Sequence, residues 1–102
     1  SKFQGDIQVD TGAIHTWMPE RILKQLGVAP RSEVAFMIAD GSVEKRKIGF
    51  CEILLDGKWL PCPVVFGPDD APFLLGATTL EIFGVGVDPI NKMLVSVVAS
   101  AA

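Results

Sequence analysis

The stretch that decides the reading of this chain is "IQVDTGA", Ile7 to Ala13. An apolar strand ends in an acid, then a hydroxyl, then the residue most able to turn: Asp10, Thr11 and Gly12. All three residue types suit turns, so a strand running into a turn explains the tripeptide by itself. A carboxylate fixed at the mouth of an apolar strand also suits chemistry. The rest of the chain has to decide.

The chain has 102 residues, about the size of one domain, and residues 1–102 read as a single domain. It is 49% hydrophobic and 21% charged, enough apolar material for a core and too little charge for disorder. A domain this small gains from burial against a partner subunit. The net charge of -3 argues against a nucleic-acid surface, which needs clustered Lys and Arg. The one basic cluster, Lys45-Arg46-Lys47, reads as a solvated strand face. No run reaches the roughly 18 apolar residues of a membrane helix, so no membrane partner is expected. There is no signal-peptide pattern at the start, and the chain opens at Ser1 without Met, as a processed chain would. Cys51 and Cys62 match no metal spacing and His15 has no partner ligand in sequence, so neither metal nor cofactor is expected. Two cysteines and no signal point to the cytoplasm, though an upstream segment could carry an address.

Along the chain, Phe3 to Val9 reads as a strand and Ile14 to Met18 as a short second one. In "PERILKQLG", Pro19 suits a first helical turn, Ile22, Leu23 and Leu26 share a face, and Gly27 sits at the stop. After a loop "VAPRS" the chain turns to β. Val34 to Ile48 reads as a hairpin with the two-residue signal Asp40-Gly41 at its tip. A second hairpin turns at Asp56-Gly57. Pairing Leu55 with Lys58 puts Cys51 opposite Cys62, with Pro61 and Pro63 facing Glu52 and Phe50. The prolines then fall at non-hydrogen-bonded pairs, where a missing N–H costs nothing. The two thiols are predicted to be neighbours that stay reduced. "GPDDAP" is a loop, and Phe73-Leu74-Leu75 a short buried strand ending at Gly76. Thr78 and Glu81 predict a capping box opening a short helix that stops at Gly84. "VGVD" and "MLVSVVA" flank "PINK" as a last hairpin. The apolar tail Leu94 to Ala99 is a candidate for strands shared between subunits. Many short strands and two short helices point to a small mostly-β barrel.

"VDTGA" after a strand, a hairpin with a glycine-bearing tip, and "FLLGATTLEIFGVGVD" stand in an order that resembles the retropepsin-like aspartic proteases. The likeness runs from about Phe3 to Val95 and is closer to the bacterial and archaeal members. It implies a mostly-β, small closed barrel of the acid-protease type with two short helices and a flap hairpin. It implies that Asp10 is the catalytic acid, that Thr11 braces two active-site loops across a dimer, and that Gly12, with Ala13, allows their tight turn. Met37, Ile38, Ala39, Asp40, Gly41 and Ser42 would be the flap tip over a peptide or protein substrate. Leu74, Leu75 and Gly76 would form the strand beside the active-site loop, with Gly76 giving it room. Ile14 and His15 stand where retroviral members usually carry acids, a departure that bears on substrate contacts and not on the chemistry. The resemblance also implies a further strand ahead of the motif strand. With nine residues before Asp10, that strand lies upstream or another segment replaces it.

Hydrolysis by carboxylates needs two of them, one to take a proton from water and one to give a proton to the carbonyl. Two carboxylates about 3 Å apart share one proton and fill both roles. The chain offers one Asp-Thr-Gly. Asp40 and Asp56 are at hairpin tips, Asp69-Asp70 in a loop, and Asp88 at a turn. The second carboxylate is therefore expected from a second Asp10, in a symmetric homodimer acting as an aspartic endopeptidase. Two rivals stand beside this reading. One is a catalytically silent domain of the same fold serving dimerisation or peptide binding. The other is a fragment inactive for want of its first strand. Met37, Ile38 and Val43 fit an apolar substrate channel and equally a stiffened hairpin.

Overall fold

Asp56 and Gly57 both take left-handed backbone angles, φ 53° and 76°, the primed turn whose twist suits a two-residue hairpin. This turn joins β4 (Val43–Leu55) to β5 (Lys58–Gly67). Leu55 pairs with Lys58, Cys51 with Cys62, Glu52 with Pro61 and Phe50 with Pro63, as the Asp-Gly signal predicts. The structure is a computed structural model and describes residues 2–38, 40–70, 73–84 and 94–101. The remaining elements are β1 (Lys2–Val9), β2 (Thr16–Pro19), α1 (Glu20–Leu26), β3 (Pro30–Met37), β6 (Leu74–Leu75), α2 (Ala77–Phe83) and β7 (Leu94–Ser100). The described chain is mostly β with two short helices.

The strands pair in the order β3-β4-β5-β2-β6-β1-β7, and β7 also pairs with β4. Six strands thus close into a ring, and β3 stands outside it. The long β4 changes partners along one edge, from β3 at Val43 to Gly49 to β7 at Glu52 to Leu54. β5 lines the other edge of β4 only from Ile48 onward. The first five residues of β4 therefore pair with β3 alone, and the β3–β4 hairpin projects from the ring. β2 joins β5 beginning at Thr16 opposite Val64, one residue past Pro63. Pro61 and Pro63 precede that ladder, so their missing N–H groups are not needed there.

The core is apolar and continuous. Ile7 and Val9 of β1, Ile53 of β4, Val64 and Phe66 of β5, Leu75 of β6 and Val97 and Ala99 of β7 are all buried. Helix α1 adds Leu23 and Leu26, with Ile22 half-buried beside them, and α2 adds Leu80 and Phe83. Each helix ends on a glycine in the left-handed conformation, Gly27 (φ 82°) and Gly84 (φ 68°), which closes the last turn without a β-carbon penalty.

Several sequence expectations are corrected. The loop "VAPRS" ends early, because Pro30 already starts β3 and a bulge between Pro30 and Ser32 absorbs the irregularity. The second strand begins at Thr16 instead of Ile14, since the carbonyls of Ala13 and Ile14 are engaged by α2. The β3–β4 connection is one residue longer than a two-residue turn. Met37 faces Val43, Ile38 N–H donates to Ser42 O at 2.9 Å, and Gly41 N–H returns to Ile38 O at 2.9 Å with Gly41 at φ 85°. That is the pattern of a turn followed by a left-handed bulge residue. The Thr78–Glu81 capping box is absent: the N-cap of α2 is Gly76, without a side-chain cap.

The apolar tail is also used within its own chain. β7 pairs with β1 along its length and with β4 at Val98 to Ser100, and its Val97 and Ala99 fill this chain's own core. Among the described residues, Leu94 to Val97 pair on one side alone, with β1. The "VGVD" and "PINK" parts of the expected closing hairpin lie outside the described residues, as does Ala39 of the expected flap tip.

Candidate active site

β1 carries Asp10 past the end of its ladder. Its last residues lie parallel to β6, Gln8 beside Leu74 and Val9 beside Leu75, while Trp17 of β2 pairs with Leu74 from the other side. Two residues of β6 therefore sit between the strands that enter and leave the Asp10 loop. The Asp10 N–H donates to Leu75 O at 3.0 Å, which extends the β1–β6 pairing to the acid itself.

The loop is turned by its own groups. Ala13 N–H donates to Asp10 O at 3.1 Å, and Gly12 N–H donates to Asp10 Oδ1 at 3.0 Å. A β-carbon on residue 12 would lie 3.2 Å from that same carboxylate oxygen. Glycine keeps the oxygen uncrowded while its N–H holds it. Asp10 and Ala13 are half-buried, and Thr11 and Gly12 are exposed in the single chain.

The far side of the loop is pinned by α2. Ala77 N–H donates to Ala13 O at 2.8 Å and Thr78 N–H to Ile14 O at 3.0 Å. The first N–H groups of a helix have no partners within it, and here loop carbonyls supply them. This replaces the capping box. At the joint, a β-carbon on Gly76 would lie 2.3 Å from His15 O and 3.0 Å from Ala13 O, so only glycine lets the two segments approach. Gly76 N–H in turn donates to Thr16 Oγ1 at 3.1 Å, and Thr16 Oγ1 lies 2.6 Å from Thr79 Oγ1. Both threonines are fully buried.

The projecting hairpin leans on this assembly through Phe36. Its ring lies 4.9 Å from the Trp17 ring and meets His15 edge-on at 5.9 Å. The Nδ1 atom of His15 is buried without a hydrogen-bond partner. Met37, Ile38 and Val43 at the tip and Ile14 in the loop are exposed apolar residues. Asp40 Oδ1 accepts from the Ser42 hydroxyl at 2.6 Å and from Ser42 N–H at 2.8 Å, and these bonds hold its carboxyl below the ordinary carboxylate value.

The structure thus gathers Asp10, Thr11, Gly12, Ala13, Leu74, Leu75 and Gly76 at one end of β1. Of the residues expected to form a flap, it places Met37, Ile38, Asp40, Gly41 and Ser42 at the tip of the β3–β4 arm. The other described aspartates are elsewhere. Asp6 is on β1, Asp56 is in the β4–β5 turn, and Asp69 accepts from Arg21 N–H at 3.0 Å at the start of α1. Among the described residues no group of three His, Cys, Asp or Glu could hold a metal ion. A pocket of about 360 Å³ between β1, β7 and the β4–β5 turn includes no residue of the Asp10 loop, so it does not compete for the chemistry argued from that loop. Thr16, Phe36 and Thr79 went unnoticed in sequence. Thr16 and Thr79 are 63 positions apart, and a hydroxyl pair at that separation leaves no local pattern. One carboxylate can take a proton from water, but peptide hydrolysis asks for a donor as well.

The model of one protein family, described as gag-polyprotein putative aspartyl protease, matches residues 2–81, from β1 into α2. No curated protein matches the chain.

Proposed function

The chain belongs to the gag-polyprotein aspartyl protease family, and from that premise we propose that it is an endopeptidase whose site is completed by a second copy of itself. The observation that carries this reading is the Asp10 carboxylate, half-exposed beyond β1 while its own N–H is tied to Leu75 O. A carboxylate held this firmly by its backbone, on a loop whose Thr11 and Gly12 are exposed, is suited to meet its equivalent across a two-fold axis. In this reading each subunit contributes half of an acid-protease barrel pair.

The ionised Asp10 of one subunit takes a proton from water as the water oxygen attacks the peptide carbon. The protonated Asp10 of the other gives its proton to the carbonyl oxygen. The tetrahedral diol then collapses: the Asp10 that took the water proton gives it to the amide nitrogen, the other Asp10 takes a proton from a diol hydroxyl as the carbonyl re-forms, the C–N bond breaks, and the dyad again holds one shared proton. Thr11 braces the paired loops, Gly12 turns them, and Ala13 closes the turn. Residues 37–42 cover an extended peptide. No cofactor takes part.

The test is Asp10→Asn, which keeps the shape and removes the exchangeable proton. Hydrolysis of a peptide library, and its block by a pepstatin-like inhibitor, should be lost with the circular dichroism spectrum unchanged. Activity should rise faster than linearly with protein concentration near the dimer constant. A fully active monomer in sedimentation would refute the shared site.

A further inference from the structure

Resting on the protease reading, and going beyond the residues that reading assigns, we propose that Thr16 and Thr79 form a buried hydroxyl clamp that positions Asp10 for hydrolysis. Neither residue touches substrate or the reacting carboxylate. Their effect runs through the main chain of β6.

The path is short and each step is a contact. Thr16 Oγ1 accepts the Gly76 N–H at 3.1 Å. Its own proton is then available for Thr79 Oγ1, 2.6 Å away. The path therefore runs from the Gly76 amide through two hydroxyls, tying β6 to β2 and α2, with a donor and an acceptor at each step. Gly76 directly follows Leu75, whose carbonyl receives the Asp10 N–H.

β6 has only two residues in its ladder. So short a strand cannot fix its own position, and its place is set by what grips its ends. On the far side of Gly76, Ala77 and Thr78 bond to the carbonyls of the Asp10 loop. On the near side, the clamp ties Gly76 to β2 and α2 together. Both threonines are fully buried, so water cannot take the place of a lost partner, and fully satisfied buried networks are those that specify one arrangement. Losing the Thr16 hydroxyl frees the Gly76 N–H and lets the Leu75 carbonyl shift, and the Asp10 main chain shifts with it. Displacements of about 1 Å at a reacting group can cost on the order of 100-fold in rate.

The experiment pairs native-state amide exchange with kinetics in Thr16→Val, which trades the hydroxyl for a methyl of similar size, and in Thr16→Ser, which keeps the hydroxyl. In Thr16→Val the Gly76 and Asp10 amides should both exchange at least ten-fold faster, while the Ile53 amide in β4 keeps its wild-type protection. The kcat should fall on the order of 100-fold with KM within about two-fold, because the substrate is gripped elsewhere. Thr16→Ser should return both readouts to near wild type. Thr79→Val, which leaves Thr16 in place as the acceptor for Gly76, should give an intermediate change, and it carries the test if Thr16→Val fails to fold. An Asp10 amide that stays protected in a folded Thr16→Val or Thr79→Val protein overturns the clamp. So does a loss of kcat that Thr16→Ser does not restore. A wild-type protein without hydrolysis would defeat the protease reading. The exchange comparison would still decide the clamp.

Discussion

Asp10 and Leu75 are joined by a main-chain hydrogen bond of 3.0 Å between the end of the first strand and a two-residue strand much later in the chain. The acid is thereby fixed by tertiary contact and not by its own loop alone. The contact exists because Gly76 lets α2 press against the Ala13–His15 carbonyls. A methyl at position 76 would lie 2.3 Å from His15 O and 2.4 Å from its carbonyl carbon. Both are backbone atoms that no rotamer change can move. Gly76→Ala should therefore destabilise by at least about 2 kcal/mol, at the upper end of overpacking costs. Urea unfolding of Gly76→Ala against Gly57→Ala makes the comparison. Position 57 has open space, so its penalty comes only from its left-handed backbone. Equal losses in the two variants would show that the close approach does not matter.

Much of this fold was legible because its turns carry their own chemistry. Asp56-Gly57 set a register that placed Cys51 against Cys62, and Gly27 and Gly84 marked the helix ends. The Asp10 motif was legible too, as an acid at the end of an apolar strand. What stayed hidden were groups satisfied from a distance. Neither helix starts with a side-chain cap of its own. Helix α1 uses the Asp69 carboxylate on Arg21 N–H, and α2 uses the carbonyls of Ala13 and Ile14. A local capping rule looked for Thr78 and Glu81 because it cannot see a carbonyl brought in by another segment. The Asp40-Gly41 turn was missed by one residue for a different reason. Asp40 bonds Ser42 instead of leaving a bare two-residue corner.

That bond predicts an acid-sensitive tip of the β3–β4 hairpin. The Ser42 hydroxyl, then the Ser42 N–H, lowers the Asp40 carboxyl from its ordinary value of 3.8. A group with a lowered folded value stabilises the folded arrangement above its ordinary value, and that support is lost as pH falls through the lowered one. The Ser42 amide, corrected for intrinsic exchange, should lose protection below about pH 4. In Ser42→Ala the strongest of these bonds is gone, so loosening should begin at a higher pH. Identical acid profiles of the tip amides in both proteins would remove Asp40 as the cause.

The thiol pair gives an opposite, alkaline dependence. Burial above all, with Cys62 and Glu52 nearby, pushes Cys51 from 9.0 up to about 12. Burial pushes Cys62 up to about 11 against the lowering effect of its bond with Thr79. Unfolded thiols ionise near 9, while these hold their protons in the fold. Their contribution is complete below pH 9 and is lost as pH rises through the window from 9 to about 11 and 12. Urea midpoints should fall more steeply between pH 8.5 and 10.5 in the wild type than in Cys51→Ala. A thiolate-directed dye should label neither cysteine in the native protein at neutral pH. A mass two protons lighter without reductant would show that the pair closes into a disulfide.

The last prediction concerns the working pH of the proposed dyad. Ala13 closes the turn with its N–H on Asp10 O, and its methyl side chain offers the carboxylate no donor. Serine at this position could donate a hydroxyl hydrogen bond to the carboxylate, and a bond to the charged form stabilises that form. Without it, the bell-shaped profile of kcat/KM should lie at higher pH than in a variant that supplies the hydroxyl. In Ala13→Ser both limbs should move toward acid, because both report ionisation of the shared pair and not of either residue alone. Ala13 is half-buried, so the hydroxyl must fit without moving the loop. An unchanged Asp10 amide exchange rate would establish that it does. A profile that stays in place in such a variant, or moves toward alkali, would show that the absent hydroxyl at position 13 does not set the working pH.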